Sequence, residues 1–429
     1  MNIYISGISG TGMGPLALMA KQAGYTVSGS DLAEGAIYEE LVEAGVDVRI
    51  GPQDGEFLKG KLDEGVDWFV YTSALPDTHA ELAKAREAGI KCTKRDDFTE
   101  YLVEELGLKM VAVAGTHGKT TTTAMIIWAA LQLKLPVAYI VGTTLGFAPS
   151  GAYQAGDEYF IYEADEYDRN FLKYHPWLAV ITSVSYDHPD IYPTVKDYEE
   201  AFRQFERQSK TVINSGEDVE GITLAGEVRR KDAALAAQAI KLMAPELDEK
   251  EIIRVLNEFP GVGRRFEKIA DGVYTDYAHH PEEIAATIEV AQDEARLRGK
   301  KGVVVVYQPH QNTRQHKVKD GYKEAFVGAD KIYWLPTYLT REDESLEILT
   351  PENFIGGLVN QDKAEAAELD DALERAVRGY LDKDYLVILM TAGPADSWWR
   401  EKFGHFRRFR LSQSSRRLRL RERAGGIII

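Results

Sequence analysis

The chain has 429 residues, 44% of them hydrophobic, and a formal net charge of −17 at pH 7, which suggests about three domains of roughly 150 residues each. So acidic a surface repels a phosphate backbone and argues against nucleic acid as a partner, and no apolar run approaches the ~20 residues of a membrane span. A single cysteine, Cys92, excludes an internal disulfide and fits a reducing compartment, and MNIYISGISG lacks the basic flank and cleavage site of a signal peptide, so a cytoplasmic location is expected.

Asn2 to Ser6 reads as a strand, GISGTGMG as a glycine-rich turn, PLALMAKQAGY as an amphipathic helix, and TVSGSD as a second strand ending at Asp31. A further apolar stretch, WFVYTSA, ends at Ser73 and Ala74. This is a βαβ unit of the Rossmann type, in which ligands bind at the carboxyl ends of the strands. Its glycines at 7, 10, 12 and 14 do not follow the G-x-G-x-x-G spacing of dinucleotide enzymes. They predict close approach of a diphosphate to the backbone, with Asp31 accepting from a ribose or base.

The second segment opens near Lys109 with LKMVAVA, passes through AGTHGKTTTT and enters AMIIWAALQLKL. Strand, glycine-rich turn and helix in that order aim backbone N–H groups and a helix N-terminus at one point, where a polyphosphate can sit. Lys119 supplies a mobile cation and Thr120 a hydroxyl for Mg²⁺. Two more strands follow, YFIYEAD and LAVITSVS. The first ends in Glu163, Asp165, Glu166 and Asp168, carboxylates of the kind hard Mg²⁺ prefers. After the second come Asp187 and His188, where a neutral imidazole can ligate a second Mg²⁺ or touch the phosphate under attack.

The third segment begins after PGVGRRFE, where Arg264 and Arg265 are expected at a hinge and suit phosphate contacts or stacking on a base. Its strands GVYTDYA, KGVVVVYQP, KIYWLP and YLVILMTAG alternate with helix-like sequence such as Pro281 to Arg298. DYAHHP and QPHQNTR both follow strands, which predicts a pocket for a small charged molecule. The pattern therefore predicts an α/β fold of three domains, with a Rossmann-like N-terminal domain, a central P-loop domain and a Rossmann-like C-terminal domain. The expected boundaries are 1–107, 108–262 and 263–404, followed by a basic tail, 405–429, with eight arginines and one glutamate; this tail is expected to be disordered.

Eight motifs in register, GISGTGMG with SGSD, TSA, AGTHGKTTTT, EADEYD, DHPDIY, PGVGRRFE, DYAHHPEEI and QPHQNTR, resemble the Mur ligase superfamily, and most of all its alanine-adding MurC branch. The resemblance runs from Ile3 to about Asp396. It implies an ATP-dependent amide ligase of peptidoglycan precursor synthesis that joins L-alanine to UDP-N-acetylmuramate through an acyl phosphate. It further implies that Gly10, Thr11, Gly12, Asp31 and Ser73 bind the UDP-sugar. Gly115, Thr116, Gly118, Lys119, Thr120 and Thr121 would hold ATP, assisted by Arg265 and Asp276, with Mg²⁺ at Thr120, Glu163 and His188. Lys119, Glu163 and His188 would carry the catalysis, and Tyr277, His280, His310 and Arg314 the amino acid, with the third domain closing over the site.

The chain departs from the family pattern at four places. Val228 and Arg229 replace a His-Asn pair in which the Asn reads adenine, Ser183 and Ser185 replace Asn and Glu, Gln311 replaces an Arg, and the stretch between Arg207 and Gly226 is short. EADEYD is also similar to the related murein peptide ligase, which attaches a tripeptide, and the departures admit a nucleotide-binding protein that no longer ligates. The oligomeric state is left open.

Overall fold

A computed structural model describes residues 1–72, 75–186, 188, 191–216, 219–339, 342–343, 345–391 and 395–403. Ser73, Asp187 and the arginine-rich tail lie outside the described residues. Seventeen strands among the described residues form three sheets.

The first sheet holds β1 (Asn2–Ser6), β2 (Thr26–Asp31), β3 (Asp47–Ile50), β4 (Trp68–Tyr71) and β5 (Lys91–Lys94), all parallel in the order β3-β2-β1-β4-β5. β3 and β5 were not apparent from the sequence. They are edge strands of four residues, DVRI and KCTK, in which polar and apolar residues are too evenly mixed to stand out. Because chain order reverses between β1 and β4, the loop after β1 opens at the switch point where parallel sheets bind ligands.

The second sheet comprises β6 (Lys109–Ala114), β7 (Val137–Ile140), β8 (Gly151–Ala152), β9 (Tyr159–Glu163), β10 (Leu178–Ile181) and β11 (Val212–Ile213), ordered β11-β10-β6-β9-β7-β8. All its pairs are parallel except β7 with β8. β6 lies between β9 and β10, so the loops leaving the carboxyl ends of these three strands emerge side by side. Five of the six residues of β6, KMVAVA, are buried, the continuous apolar reading expected of a strand covered on both faces.

The third sheet contains β12 (Glu267–Ala270), β13 (Val273–Asp276), β14 (Val303–Gln308), β15 (Lys331–Trp334), β16 (Ala364–Ala366) and β17 (Leu386–Thr391), ordered β12-β13-β17-β14-β15-β16. β12 is antiparallel to β13 and the rest are parallel. The architecture is α/β with parallel-dominated sheets, as the alternation of strand and helix patterns predicts.

The chain forms two compact units. One is Met1–Leu145 with Pro149–Val262, and the other is Gly146–Ala148 with the chain from Gly263 onward. Within the first unit one apolar core runs from Ile3 and Trp68 through Phe98 to Ala112, Phe160 and Phe205, so the first two sheets share an interior. Trp68 meets Phe98 edge-on at 4.9 Å at the heart of this core. The second unit buries Trp334, Tyr307 and Phe326 on one face of its sheet and Trp399, Val304 and Leu389 on the other. Among the described residues no helix is long and apolar enough to cross a membrane.

Candidate active site

The turn after β6 is built to approach an anion closely. Gly115 has φ +142° and Gly118 φ +84°, and a Cβ on Gly118 would lie 2.6 Å from Asp232 Oδ1. Neither position accepts a side chain without strain. Gly118 caps the helix Lys119–Gln132, whose first amides have no partner within the helix and carry the positive end of its dipole. Four consecutive threonines are poor helix formers; here Thr122 and Thr123 are fully buried, and packing holds the turn.

The preceding residues brace the loop. Thr116 N–H donates to Ser183 O at 3.0 Å and its hydroxyl donates to Ser185 O at 2.7 Å, while His117 N–H donates to Ser183 Oγ at 2.9 Å. The segment after β10 therefore fastens the phosphate loop, Ser183 through its hydroxyl and backbone and Ser185 through its backbone. Thr116 shapes the cradle through these bonds, and the amides at the start of the helix form its floor.

The carboxylates after β9 divide their work. Glu163 Oε1 accepts from the Thr120 hydroxyl at 2.8 Å, and Asp165 caps the next turn by accepting from Tyr167 N–H at 3.0 Å. Glu166, 1% exposed, lies 2.7 Å from Lys119 Nζ, and His188 Nε2 is 3.5 Å from the same carboxylate. Thr120 and Glu163 are hard oxygen donors that meet at one half-buried point, which fits Mg²⁺. Among the described residues no three His, Cys, Asp or Glu side chains form a complete metal cage. A partial protein set completed by phosphate oxygens and water is the usual Mg²⁺ arrangement.

In the first sheet the turn after β1 is pinned by Gly7 and Ile8 N–H groups donating to Ser30 O. Asp31 Oδ2 accepts from Ser9 N–H at 2.9 Å, so this carboxylate helps shape the turn as well as facing its cavity. Beneath it, buried Glu81 accepts from Tyr4, Ser6 and Ser30 hydroxyls at 2.6–2.8 Å, locking the ends of β1 and β2. Gly10, Thr11, Gly12 and Asp31 line a cavity of about 330 Å³ together with Thr72, Lys94 and Arg95.

A second cavity, about 220 Å³, is lined by Thr11, Gly12 and Arg95 from around the first sheet and by Thr120, Tyr162, Glu163 and Asp165 from around the second. The glycine-rich turn and the phosphate loop thus face one space. Arg95 lines both cavities and packs so closely that a Cβ on Gly12 would fall 2.5 Å from its Nη1. Its partner is Asp96 at 2.9 Å, 5% exposed and also bonded by Tyr174 at 3.2 Å. Sequence reasoning missed Arg95, whose only signal was a Lys-Arg pair opening the helix ahead of the phosphate-loop strand.

The second unit gathers Tyr277, His280, His310 and Arg314 around a residue that was not singled out, His279. Its ring lies 5.0 Å from Tyr277, 5.3 Å from His280 and 6.1 Å from His310, and Arg314 Nη1 is 3.2 Å from His310 Nδ1. Burial, helped by Arg314 and His279, lowers the His310 pKa, and burial lowers that of His279. Both rings are thereby held neutral at pH 7. Asp276, buried, accepts from Phe266 N–H at 2.7 Å and Ala278 N–H at 2.8 Å. Arg265 is exposed and close enough for its charge to act on Asp276, whereas Arg264 stacks on Tyr277 at 4.4 Å.

A phosphate loop and a glycine-rich Rossmann-like turn facing one cleft define the class of P-loop α/β proteins that bring two ligands together. The chain belongs to the Mur ligase family: its catalytic-domain model matches residues 2–105, its middle-domain model 113–244 and its glutamate ligase domain model 264–393. The UDP-N-acetylmuramate–L-alanine ligase of Syntrophomonas wolfei is 34% identical over 80% of this chain and 83% of its own. That of Fusobacterium nucleatum is 30% identical over 91% of this chain and 94% of its own. The UDP-N-acetylmuramate-alanine ligase MurC of Thermotoga maritima shares the fold with a TM-score of 0.74 at 23% identity, covering 94% of this chain and 98% of that one. A murein peptide ligase of Psychrobacter arcticus has the same coverage, a TM-score of 0.55 and 21% identity.

Proposed function

We propose that this chain joins L-alanine to the lactyl carboxylate of UDP-N-acetylmuramate, coupled to cleavage of ATP to ADP and phosphate. The observation that carries the reading is the 220 Å³ cavity, where Thr11 and Gly12 face Thr120 and Glu163. A carboxylate and an amine do not condense in water, so the acid must first be activated, and activation requires it to reach a terminal phosphate. A sugar nucleotide on the first turn and a triphosphate on the second would present those groups to this shared space. We assign residues 1–107 to the sugar nucleotide, 108–262 to ATP and 263–404 to the amino acid.

In this reading a carboxylate oxygen attacks the γ-phosphorus and ADP leaves. The amine of alanine then attacks the acyl carbon, loses its proton, and phosphate departs as the tetrahedral adduct collapses. Two anions must meet in the first step. Lys119 and the helix N-terminus lower their repulsion, and Arg95 offers a planar guanidinium to the acid or the diphosphate. Mg²⁺ held by Thr120, Glu163 and His188 would neutralise charge on the phosphates. Arg314, with neutral His310 beside it, suits the carboxylate of the amino acid, and Tyr277 and His280 complete its pocket; Arg265 and Asp276 are assigned to the nucleotide.

The test is phosphate release by purified protein with ATP, Mg²⁺ and UDP-N-acetylmuramate, given L-alanine, glycine, L-serine or L-Ala-γ-D-Glu-diaminopimelate. Release that depends on L-alanine supports the assignment. Release with the tripeptide alone would overturn it in favour of peptide recycling, and none with any acceptor would leave a protein that binds nucleotide without ligating.

A further inference from the structure

Lys119 does not point outward to await a phosphate. Its Nζ donates to Gly115 O at 2.6 Å and is held by both oxygens of Glu166, at 3.0 and 2.7 Å. The ammonium is folded back into its own loop. Glu166 is anchored: its side chain is 2% exposed, its backbone oxygen accepts from the Tyr192 hydroxyl at 2.6 Å, and His188 Nε2 lies 3.5 Å from Oε1, the oxygen that also accepts from Lys119. The Lys119 and Tyr192 contacts do not involve Thr120 or Glu163; His188, also assigned to the metal, meets Glu166 at 3.5 Å.

We propose that Glu166 is a positioning residue that holds Lys119 as its counter-ion in the nucleotide-free protein and competes with the nucleotide for it. This rests on the reading that the loop binds ATP. An ammonium has three N–H donors, and here Gly115 O and the Glu166 carboxylate take the best of them. Without Glu166 the loop would hold a half-buried, uncompensated cation. With it, an incoming triphosphate must draw Lys119 away against a buried negative charge, so part of the lysine's attraction is withheld from ground-state ATP. That part is recovered as charge builds on the transferring phosphoryl group, which is how an interaction raises turnover rather than affinity. The same competition favours release of ADP.

The experiment compares wild type with Glu166→Gln, which keeps the shape and removes the charge. Binding of a non-hydrolysable ATP analogue with Mg²⁺ is measured by calorimetry, and KM for ATP and kcat by phosphate release. Glu166→Gln is expected to bind the analogue about tenfold tighter and to lower KM and kcat together. A residue that merely supports the fold would give weaker binding and a raised KM instead. Glu166→Asp, which retains the charge, is expected to bind the analogue within about threefold of wild type.

Should Glu166→Gln fold poorly, the thermal stabilities of Lys119→Met, Glu166→Gln and the double variant close the argument. Each single change is expected to destabilise and the double to recover most of the loss; additive losses would refute the pairing. Analogue binding by wild type that Glu166→Gln does not tighten overturns the inference alone. Failure of wild type to bind the analogue at all overturns the reading on which it rests.

Discussion

Replacing Asp232 with Asn should stabilise the protein, and more so as pH rises. Asp232 lies on the helix Glu227–Met243, 5% exposed, with its carboxylate against the Cα of Gly118 in the phosphate loop. Burial pushes its carboxyl up to about 7, against the opposing pull of Thr122 and of the Arg229 charge. An unfolded aspartate titrates near ~3.9, so between roughly pH 4 and 7 folding takes up a proton and stability falls as pH rises; above about 7 the penalty is constant. At about 1.4 kcal/mol per pH unit the cost is roughly 1.5 kcal/mol at pH 5 and approaches about 4 kcal/mol at pH 8. Asn fills the same space without a charge and should remove that penalty. At roughly 2 °C per kcal/mol for a unit of this size, Asp232→Asn should raise Tm by about 3 °C at pH 5 and about 8 °C at pH 8. Scanning calorimetry of both proteins at the two pH values provides the assay. A gain that does not depend on pH, or a loss at pH 8, would refute the reasoning, because only the ionisation of a buried carboxyl predicts that slope. The same charge lies beneath the phosphate loop, so the variant should also bind nucleotide more tightly than wild type at pH 8 and equally at pH 5.

Lys119→Ala is expected to abolish ligation while leaving UDP-sugar affinity nearly unchanged, since the lysine does not line the cavity around Gly10 and Asp31; calorimetric loss of sugar binding would contradict this. The same change leaves buried Glu166 without its lysine counter-ion and should cost about 3 kcal/mol of stability, visible as a lowered Tm. Arg95→Ala should weaken UDP-N-acetylmuramate binding at least about tenfold through loss of a charged hydrogen-bond donor, with ATP affinity less affected; unchanged sugar binding would remove Arg95 from the site. Gly60 lies inside the helix Glu56–Asp63, and a Cβ there would meet nothing within 4 Å. It should accept Ala with a gain of about 0.5–1 kcal/mol in urea unfolding.

The sequence disclosed those parts of the molecule whose chemistry is local. A phosphate loop is one strand, one turn and one helix start, so AGTHGKTTTT announces it within ten residues, and β14 is visible because VVVVYQ is buried on both faces. What stayed hidden depends on residues far apart in the chain. Arg95 is ordinary in the string KCTKRDDF and becomes notable only because the first sheet's fifth strand delivers it beside Gly12. Ser183 reads as a loss when set against a family pattern, yet its hydroxyl accepts from the His117 amide of the loop nearly seventy positions earlier. Glu166 was legible as one of four clustered carboxylates, but the division between Glu163 facing Thr120 and Glu166 facing Lys119 is set by how the turn after β9 leaves the sheet.

That division bears on how the site works. Four carboxylates gathered at the proposed triphosphate site would repel the ligand if all faced it. The fold engages Asp165 with a backbone amide and Glu166 with a lysine, leaves Asp168 exposed, and sets Glu163 beside Thr120, where the proposed metal would sit. On the proposed function, an acidic chain would accommodate an acidic nucleotide because part of its local negative charge is already engaged, and a substitution that frees either Asp165 or Glu166 from its partner should weaken nucleotide binding even where it leaves the proposed metal donors untouched, unless, as with Glu166→Gln, it removes the charge along with the contact.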